Sequence, residues 1–485
     1  MATVNTSALR VNSANKFATT VVGSYAFIGK PTEWSETSDT PPTPANNVDA
    51  YNDLHNQMLS LKRVVSDDVH NMIRRINWTS GLVYDIYRHD YSTSLTSYSG
   101  ATRLYDANYI VISQNNGVYA CLGNNGNQVS TVEPQNTNDT PFYTSDGYQW
   151  VRLFTIDANI LANKSTSLYI PVSTDDLIVY NSGELASAVI DSAGTGYTAR
   201  PSGSINALPY YFCKITGDGS GAVARVTVFN GSITEINIVR GGQDYTFANI
   251  DFSANKVYAT LTDLDREVNS LDPEGNGDFR STVIIPPSGG WGTNIIKEVG
   301  ATTVGIFTEF SFDESDFIDN VEYRQVGLIR DIVTSQTNPS HASAYQGIKV
   351  SDLGGIVNYQ TGEIITQQVE LGDEDNTLVN ARGIVVGWDA TNGIVFYIQD
   401  PKYCLHTDGN MYEFGGAGTI IGETSTKITT PDETYTASQS GLTFTNGYAP
   451  REVTKYTGDV IYISNKPPIQ RTSTQTEKLS FILSF

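Results

Sequence analysis

The last residues of the chain alternate. Leu479, Phe481, Leu483 and Phe485 fall at every second place, with Ser480, Ile482 and Ser484 between them. A period of two sets four large apolar side chains on one face of a strand. Chain ends fray unless something ties them down, so this face is expected to be covered by an earlier part of the chain or by another subunit. Burying the four is worth roughly 6–12 kcal/mol, at 1.5–3 kcal/mol per side chain. Upstream, Val460, Ile461, Tyr462 and Ile463 read as another strand, broken at Pro467 and Pro468. Two readings of the terminus stand: a core strand that happens to come last, or a strand that joins the N-terminal region and closes a domain.

From the other end, residues 21–28 read as a short strand. Lys30, Pro31, Thr32, Glu33 and Trp34 follow, then a proline-rich loop with Pro41, Pro42 and Pro44. The best helical pattern comes next. Asp49 is placed to cap it, and Tyr51, Leu54, His55, Met58 and Leu61 share one face. His55 there is expected to be a packed side chain rather than a ligand. A second segment, residues 64–78, has Ser66 as its cap and carries Arg74 and Arg75. Those arginines suit a partner's carboxylates, and suit open solvent equally well.

Beyond Tyr105 the pattern turns to strands. Residues 109–112 and 118–122 flank Asn116 and Gly117, a predicted hairpin, because Asn-Gly accepts the φ > 0 of a tight turn. Asp146, Gly147, Tyr148, Gln149 and Trp150 lead into another strand through Val151, Leu153, Phe154 and Ile156. Residues 222–229 and 232–239 flank Asn230 and Gly231, the cleanest hairpin signal of all. An internal echo brackets it: residues 190–198, with Gly194, Gly196 and Tyr197, resemble 238–246, with Gly241, Gly242 and Tyr245. These turns are expected to bring the two tyrosines to one end of a small β module. Gly217, Gly219 and Gly221 mimic a phosphate loop, but a strand follows where such a loop needs a helix, so nucleotide binding is rejected. Later strands are expected at 303–312 and 321–332. A hairpin at 384–388 and 394–398 is expected around Asn392 and Gly393.

The fold class expected is therefore mainly β with a few helices, multi-domain, built of β-sandwich-like modules, with the N- and C-terminal segments closing one domain. The expected domains are 1–100 plus 440–485 as the terminal-closing body, 101–184 with 256–439 as inserted β domain or domains, and 185–255 as a small Gly/Tyr-rich insert. At 485 residues there is room for two to four domains.

Charge narrows the partners. The net charge is −22, which repels nucleic acid and anionic membrane, so neither is an expected partner. Cys121, Cys213 and Cys404 lie far apart in no metal-like spacing, and an odd count argues against a disulfide framework. The first residues lack a basic and an apolar region and no apolar run reaches ~18 residues, so cytoplasmic synthesis without a membrane span is expected.

Chemistry has little to stand on. His55, His70, His89, His341 and His406 form no zinc spacing, and neither a G-x-S-x-G elbow nor a Walker loop is present. Asp272, Glu274, Asn276 and Asp278, with Gly277, copy the start of a calcium loop. Val283 stands where its closing glutamate belongs, so a solvated turn is expected. Asp313, Glu314, Asp316 and Asp319 read as an acidic hairpin tip. No catalytic, cofactor-binding or metal-binding residue is assigned, and an enzyme is not expected.

One resemblance adds to this. The run Gly458, Asp459, Val460, Ile461, Tyr462, Ile463, Ser464, Asn465, Lys466, Pro467, Pro468, Ile469 resembles the end of the gene-eight baseplate wedge protein family of T-even-type contractile-tailed phages. The likeness continues through Gln475, Thr476 and Glu477 to Phe481 and Phe485. Glu33 and Trp34, the proline-rich loop, His55 with Met58, and Arg74 and Arg75 ahead of Trp78 match in order. So do Val118, Tyr119, Cys121 and Leu122, followed by Asp146, Gly147, Tyr148, Trp150, Leu153, Phe154 and Ile156. The middle departs from the family, as if enlarged by insertions at 185–255 and through much of 285–430. The resemblance implies a non-enzymatic virion protein of a myovirus tail, assembled in the host cytoplasm. It implies a homodimer in each wedge, in contact with other baseplate wedge proteins, with one domain inserted into another and no active site. The alternative is a receptor-binding or polysaccharide-degrading tail protein, and a third reading gives the 185–255 module a lectin-like accessory role.

Overall fold

Runs of apolar residues bounded by Asn, Asp and Gly become strands almost throughout, and the computed structural model is mainly β with a few short helices. It describes the chain except residues 1–3, 36–38, 138–139, 176, 178, 200–208, 312–317, 319, 354, 356, 372–376 and 473–474. Asp313, Glu314, Asp316 and Asp319 lie outside the described residues. The chain forms two compact units. The first holds Met1–Lys16, His70–Gly305 and Leu483–Phe485, and the second Phe17–Val69 and Ile306–Ile482. Residues 70–100, grouped by the sequence reading with the C-terminal segment, thus belong with 101–184 and 185–255. Residues 440–482 belong with 306–439.

In the first unit, strands Ile110–Ile112, Gly117–Asn124, Tyr148–Thr155 and Phe142–Tyr143 form an antiparallel sheet in that spatial order. Alternate side chains enter two cores. Val111, Tyr119, Cys121 and Trp150 face one, and Ile110, Val118, Leu122 and Leu153 the other. Burial on both faces is why these segments read as continuous apolar runs. Their hairpin turns through Asn116, whose φ is 62°, while Gly117 already belongs to the strand.

The glycine-tyrosine region makes a second sheet, ordered Ser232–Arg240, Val223–Phe229, Tyr210–Gly217 and Ala248–Ile250, with Val257–Tyr258 also on Tyr210–Gly217. Phe229 pairs with Ser232 across Asn230 and Gly231 (φ 49° and 79°), the two-residue turn expected. The echo proves structural. Gly194 and Gly242 both have positive φ (59° and 64°), and a Cβ on either would strike the ring of the tyrosine three residues on. Tyr197 and Tyr245 are both buried in the core of this module.

In the second unit, one five-stranded antiparallel sheet runs in the order His341–Ser343, Met58–Arg63, Tyr25–Gly29, Glu322–Arg330, Asp459–Gln470. Tyr25–Gly29 and Asp459–Gln470, far apart in sequence, therefore lie two strands apart in one sheet. A seven-stranded sheet follows the order Ile428–Thr429, Ile420–Gly422, Ile364–Glu370, Leu378–Asp389, Ile394–Ile398, Gln346–Lys349, Tyr448–Ala449. Leu378–Asp389 and Ile394–Ile398 form the expected hairpin, but Asp389 closes its turn by accepting from the N–H groups of Thr391 and Asn392.

One helix escapes the sequence pattern, and four expectations need correction. A helix, Ser7–Thr20, precedes the first strand; its buried stripe is Val11, Ala14 and Ala18, too small to stand out by hydrophobicity. The next helix, Val48–Gln57, is capped by Asn47, which accepts from Ala50 N, rather than by Asp49. It gives way at Met58 to a central strand, because Met58, Leu59 and Leu61 are all buried. Residues 66–74 are a single 3₁₀ turn and the strand Val69–Arg74. Finally, Asp459–Gln470 runs through Pro467 and Pro468 without breaking.

The terminal strand Glu477–Ser484 lies beside Thr303–Phe310, and of its alternating set Phe481 is fully buried while Leu479, Leu483 and Phe485 are half-buried. Phe481 packs edge-on against Tyr462 at 5.7 Å. Between this strand and its predecessor, the wholly buried Arg471 pairs with buried Glu477 and donates to the Ser311 carbonyl at 3.2 Å. Removing one partner of a buried pair strands the other charge. Arg471→Ala is therefore expected to cost about 3–5 kcal/mol in chemical unfolding, against well under that for the exposed pair at Lys478→Ala. Equal losses would show that the buried pair does not hold the terminus.

Candidate functional site

Asp459–Gln470 is the last strand of its sheet, and such an edge offers unpaired N–H and C=O groups to any neighbour. Its second half is guarded. The prolines there carry no N–H, which an edge tolerates, and the ladder to Glu322–Arg330 is irregular between Tyr323 and Gln325. The proline-rich loop lies against this half: Trp34 Nε1 donates to the Lys466 carbonyl at 3.0 Å, and Asn465 Nδ2 to that of Pro42 at 2.9 Å. Arg324 fixes the loop. Its buried guanidinium holds Asp39 with two bonds of 2.7 and 2.8 Å and donates to the Pro31 carbonyl at 2.9 Å, a planar fork that lysine cannot copy. Those bonds hold the Asp39 carboxyl below the usual range.

The first half, residues 459–464, receives no hydrogen bond from that loop among the described residues. Val460, Ile461, Tyr462 and Ile463 are half-buried, and beside them lies a pocket of about 550 Å³ whose lining includes Phe17, Val48, Tyr51, His55 and Tyr456. His55 is buried, edge-on to Tyr456 at 5.9 Å. Burial, then the charge of Lys455, pushes its pKa down, so it stays neutral and packs as expected.

A partly buried polar network lies in the same unit. Lys30 Nζ donates to Thr32 Oγ1 at 2.7 Å and Gln57 Oε1 at 3.0 Å, and Gln57 Nε2 donates to Asp400 Oδ2 at 2.7 Å. Lys455 Nζ donates to Asn56 Oδ1 at 3.3 Å and the Gln399 carbonyl at 2.5 Å, and Tyr456 OH donates to Asn56 at 2.7 Å. The two adjacent residues that end the helix, Asn56 and Gln57, are thereby tied to both lysines. Desolvation holds both ammonium groups down to about 8, against the opposing pull of Asp400. No local pattern marks this set, since its members come from residues 30, 56–57, 399–400 and 455.

The other sequence candidates have structural duties. Arg74 donates to the carbonyls of Asp106 and Ala107 at 3.1 Å and to Asn108 Oδ1 at 2.8 Å, and Arg75 to Asn77 Oδ1 at 2.9 Å. Gly219 gives room to Gln243 and to the Tyr245 ring. In the acidic loop, Asp272 accepts from Glu274 N and Asn276 accepts from Asp278 N, both turn bonds. Among the described residues no group of three or more His, Cys, Asp or Glu side chains is arranged to hold a metal. The three cysteines are buried free thiols. With Tyr197 and Tyr245 in the core, the 185–255 module does not present them to a glycan.

The chain matches no family model and no curated protein.

The two lysines carry a pH signature. With folded pKa values near 8 and an unfolded value near 10.4, the native state sheds their protons first. Their desolvation cost is present in full below pH 8 and lifts between about 8 and 10.4. The unfolding free energy of wild type relative to Lys30→Met is therefore expected to rise over that window and to be flat below pH 7. A difference independent of pH from 6 to 10 would refute the shifted lysine.

Proposed function

We propose that the chain is a structural subunit of a contractile-tail phage baseplate wedge, which dimerises and links neighbouring wedge proteins during tail assembly and baseplate conformational change. One observation carries this reading. The segments that resemble the gene-eight wedge family, Glu33–Trp34 with its proline loop and the run from Gly458 to Ile469, grip each other through Trp34, Asn465 and the fork of Arg324. The resembling stretches 118–122 and 146–156 likewise pair as neighbouring strands. Residues shared for framework contacts, rather than for a pocket with reacting groups, fit a part whose work is to be held by neighbours.

Under this reading the virion is the site of action, and the first half of the edge strand, residues 459–464, is a surface for assembly. Strand addition there satisfies backbone groups in register and covers Val460 and Ile461. Sedimentation at micromolar concentration is expected to give a dimer, and Ile461→Lys, a charge of the kind that keeps edges apart, to weaken it at least tenfold while leaving the melting temperature within a few degrees. A wild-type monomer under those conditions would refute dimerisation. An unchanged dimer in the variant would move the interface elsewhere. Placement of the chain within a map of an assembled tail tests the wedge assignment itself.

A further inference from the structure

A cavity of about 710 Å³ in the first unit runs between the hairpin end 122–127, the loop 95–98, and the strands Ala188–Ser192 and Ser232–Arg240. That volume is in the range of small-ligand sites. Two tyrosines stand open in its wall, Tyr98 at 62% and Tyr143 at 54% exposure. Neither is left floppy. The buried carboxylate of Asp85 accepts from Ser99 N and Ser99 Oγ at 2.9 and 2.6 Å and from Asn108 N at 2.6 Å, which fixes the loop carrying Tyr98. Tyr143 OH donates to Asn237 Oδ1 at 2.9 Å.

Two polar side chains in the wall are more than nine-tenths buried, yet keep hydrogen-bonding capacity in reserve. Gln149 donates from Nε2 to the Ala186 carbonyl at 3.0 Å, and its Oε1 accepts nothing among the described residues. Arg88 spends Nε and one terminal nitrogen on Asp90, at 2.9 and 2.8 Å, and its other terminal nitrogen donates to nothing among them. The residues are largely buried but these atoms are not sealed off, so each is open to a hydrogen bond from water or from a ligand in the cavity. Asn237 and Asn127 add further amides to the lining.

Charge selects the ligand class. Arg88 is neutralised by Asp90 and has Asp191 at 4.0 Å, and Glu235 also lines the groove, so an anion finds no net positive charge. The lining sets Asp85, Glu235 and several amides among its apolar side chains, which does not suit a lipid chain. What remains is open aromatic faces, planar amides and a neutralised guanidinium. These suit a ligand with apolar C–H faces and many neutral hydroxyls. We infer that this groove binds a neutral saccharide chain, with Tyr98 and Tyr143 as stacking platforms and with Gln149 and Arg88 as acceptor and donor to its hydroxyls. The inference is independent of the wedge assignment, and it places glycan recognition across two β modules rather than in the 185–255 module alone.

The test uses the full chain. Neutral hexasaccharides built from glucose, galactose, mannose and N-acetylglucosamine are titrated by calorimetry to millimolar concentration, with oligogalacturonate as the anionic control. At least one neutral probe is expected to bind, the anionic one not. Tyr98→Ala and Tyr143→Ala, both at exposed side chains, are each expected to weaken binding at least tenfold at unchanged melting temperature. Tyr143→Phe should retain most of it if stacking dominates. Absence of binding by every neutral probe, preference for the anion, or affinity indifferent to both alanine variants would each overturn the proposal.

Discussion

The backbone ladder between Glu322–Arg330 and Asp459–Gln470 is the constraint on which the second unit depends. It joins Asp459–Gln470 to a strand whose other side already holds Tyr25–Gly29, so one sheet unites early, middle and late segments of the sequence. Closing such long loops costs entropy that grows only slowly with length, and the cost is met by burial of Phe27, Leu61, Leu328 and Ile329, each fully or almost fully inaccessible. Charge then refines the joint. Arg324 and Arg471 are both buried and both bind a carboxylate and a carbonyl. Each desolvated guanidinium is tolerable because a carboxylate and a carbonyl meet it directly.

The partly buried network around Lys30, Gln57, Asp400 and Lys455 does a different job from the apolar core. Apolar contacts tolerate small slips, whereas a chain of hydrogen bonds among desolvated groups is satisfied in one arrangement only. The network thus sets the position of the helix end at Asn56 and Gln57. This helix borders the pocket beside the edge strand, through Val48, Tyr51 and His55, so the shape offered there is set by polar groups beneath it.

Much of the architecture could be read from residue order. Alternation marked the terminal strand, and Asn-Gly located three hairpins, because a positive φ is a local demand that few residues meet. The 48-residue echo also had a local cause, a glycine whose missing side chain lets the tyrosine three positions later lie over it. What escaped was set by context. The stripe of Val11, Ala14 and Ala18 carries too little hydrophobic signal, though its burial is complete or nearly so. Pro467 and Pro468 signal a break everywhere except at an edge, and only the sheet order reveals the edge. Met58 and Leu61 fit a helical face and a central strand equally well until Tyr25–Gly29 is seen beside them. The polar network and the groove draw on residues scattered along the chain, and no spacing rule reaches so far.

The place of Tyr25–Gly29 has a consequence for biogenesis. It is the middle strand of five, yet of the four others only Met58–Arg63 leaves the ribosome soon after it. Its other lateral neighbour waits for almost three hundred more residues, and the outermost member for more than four hundred. Synthesis at about 5–20 residues per second leaves this apolar segment half-paired for tens of seconds. During that interval the first unit's His70–Gly305 emerges whole, so the five-stranded sheet of the second unit is completed only after that segment has been made.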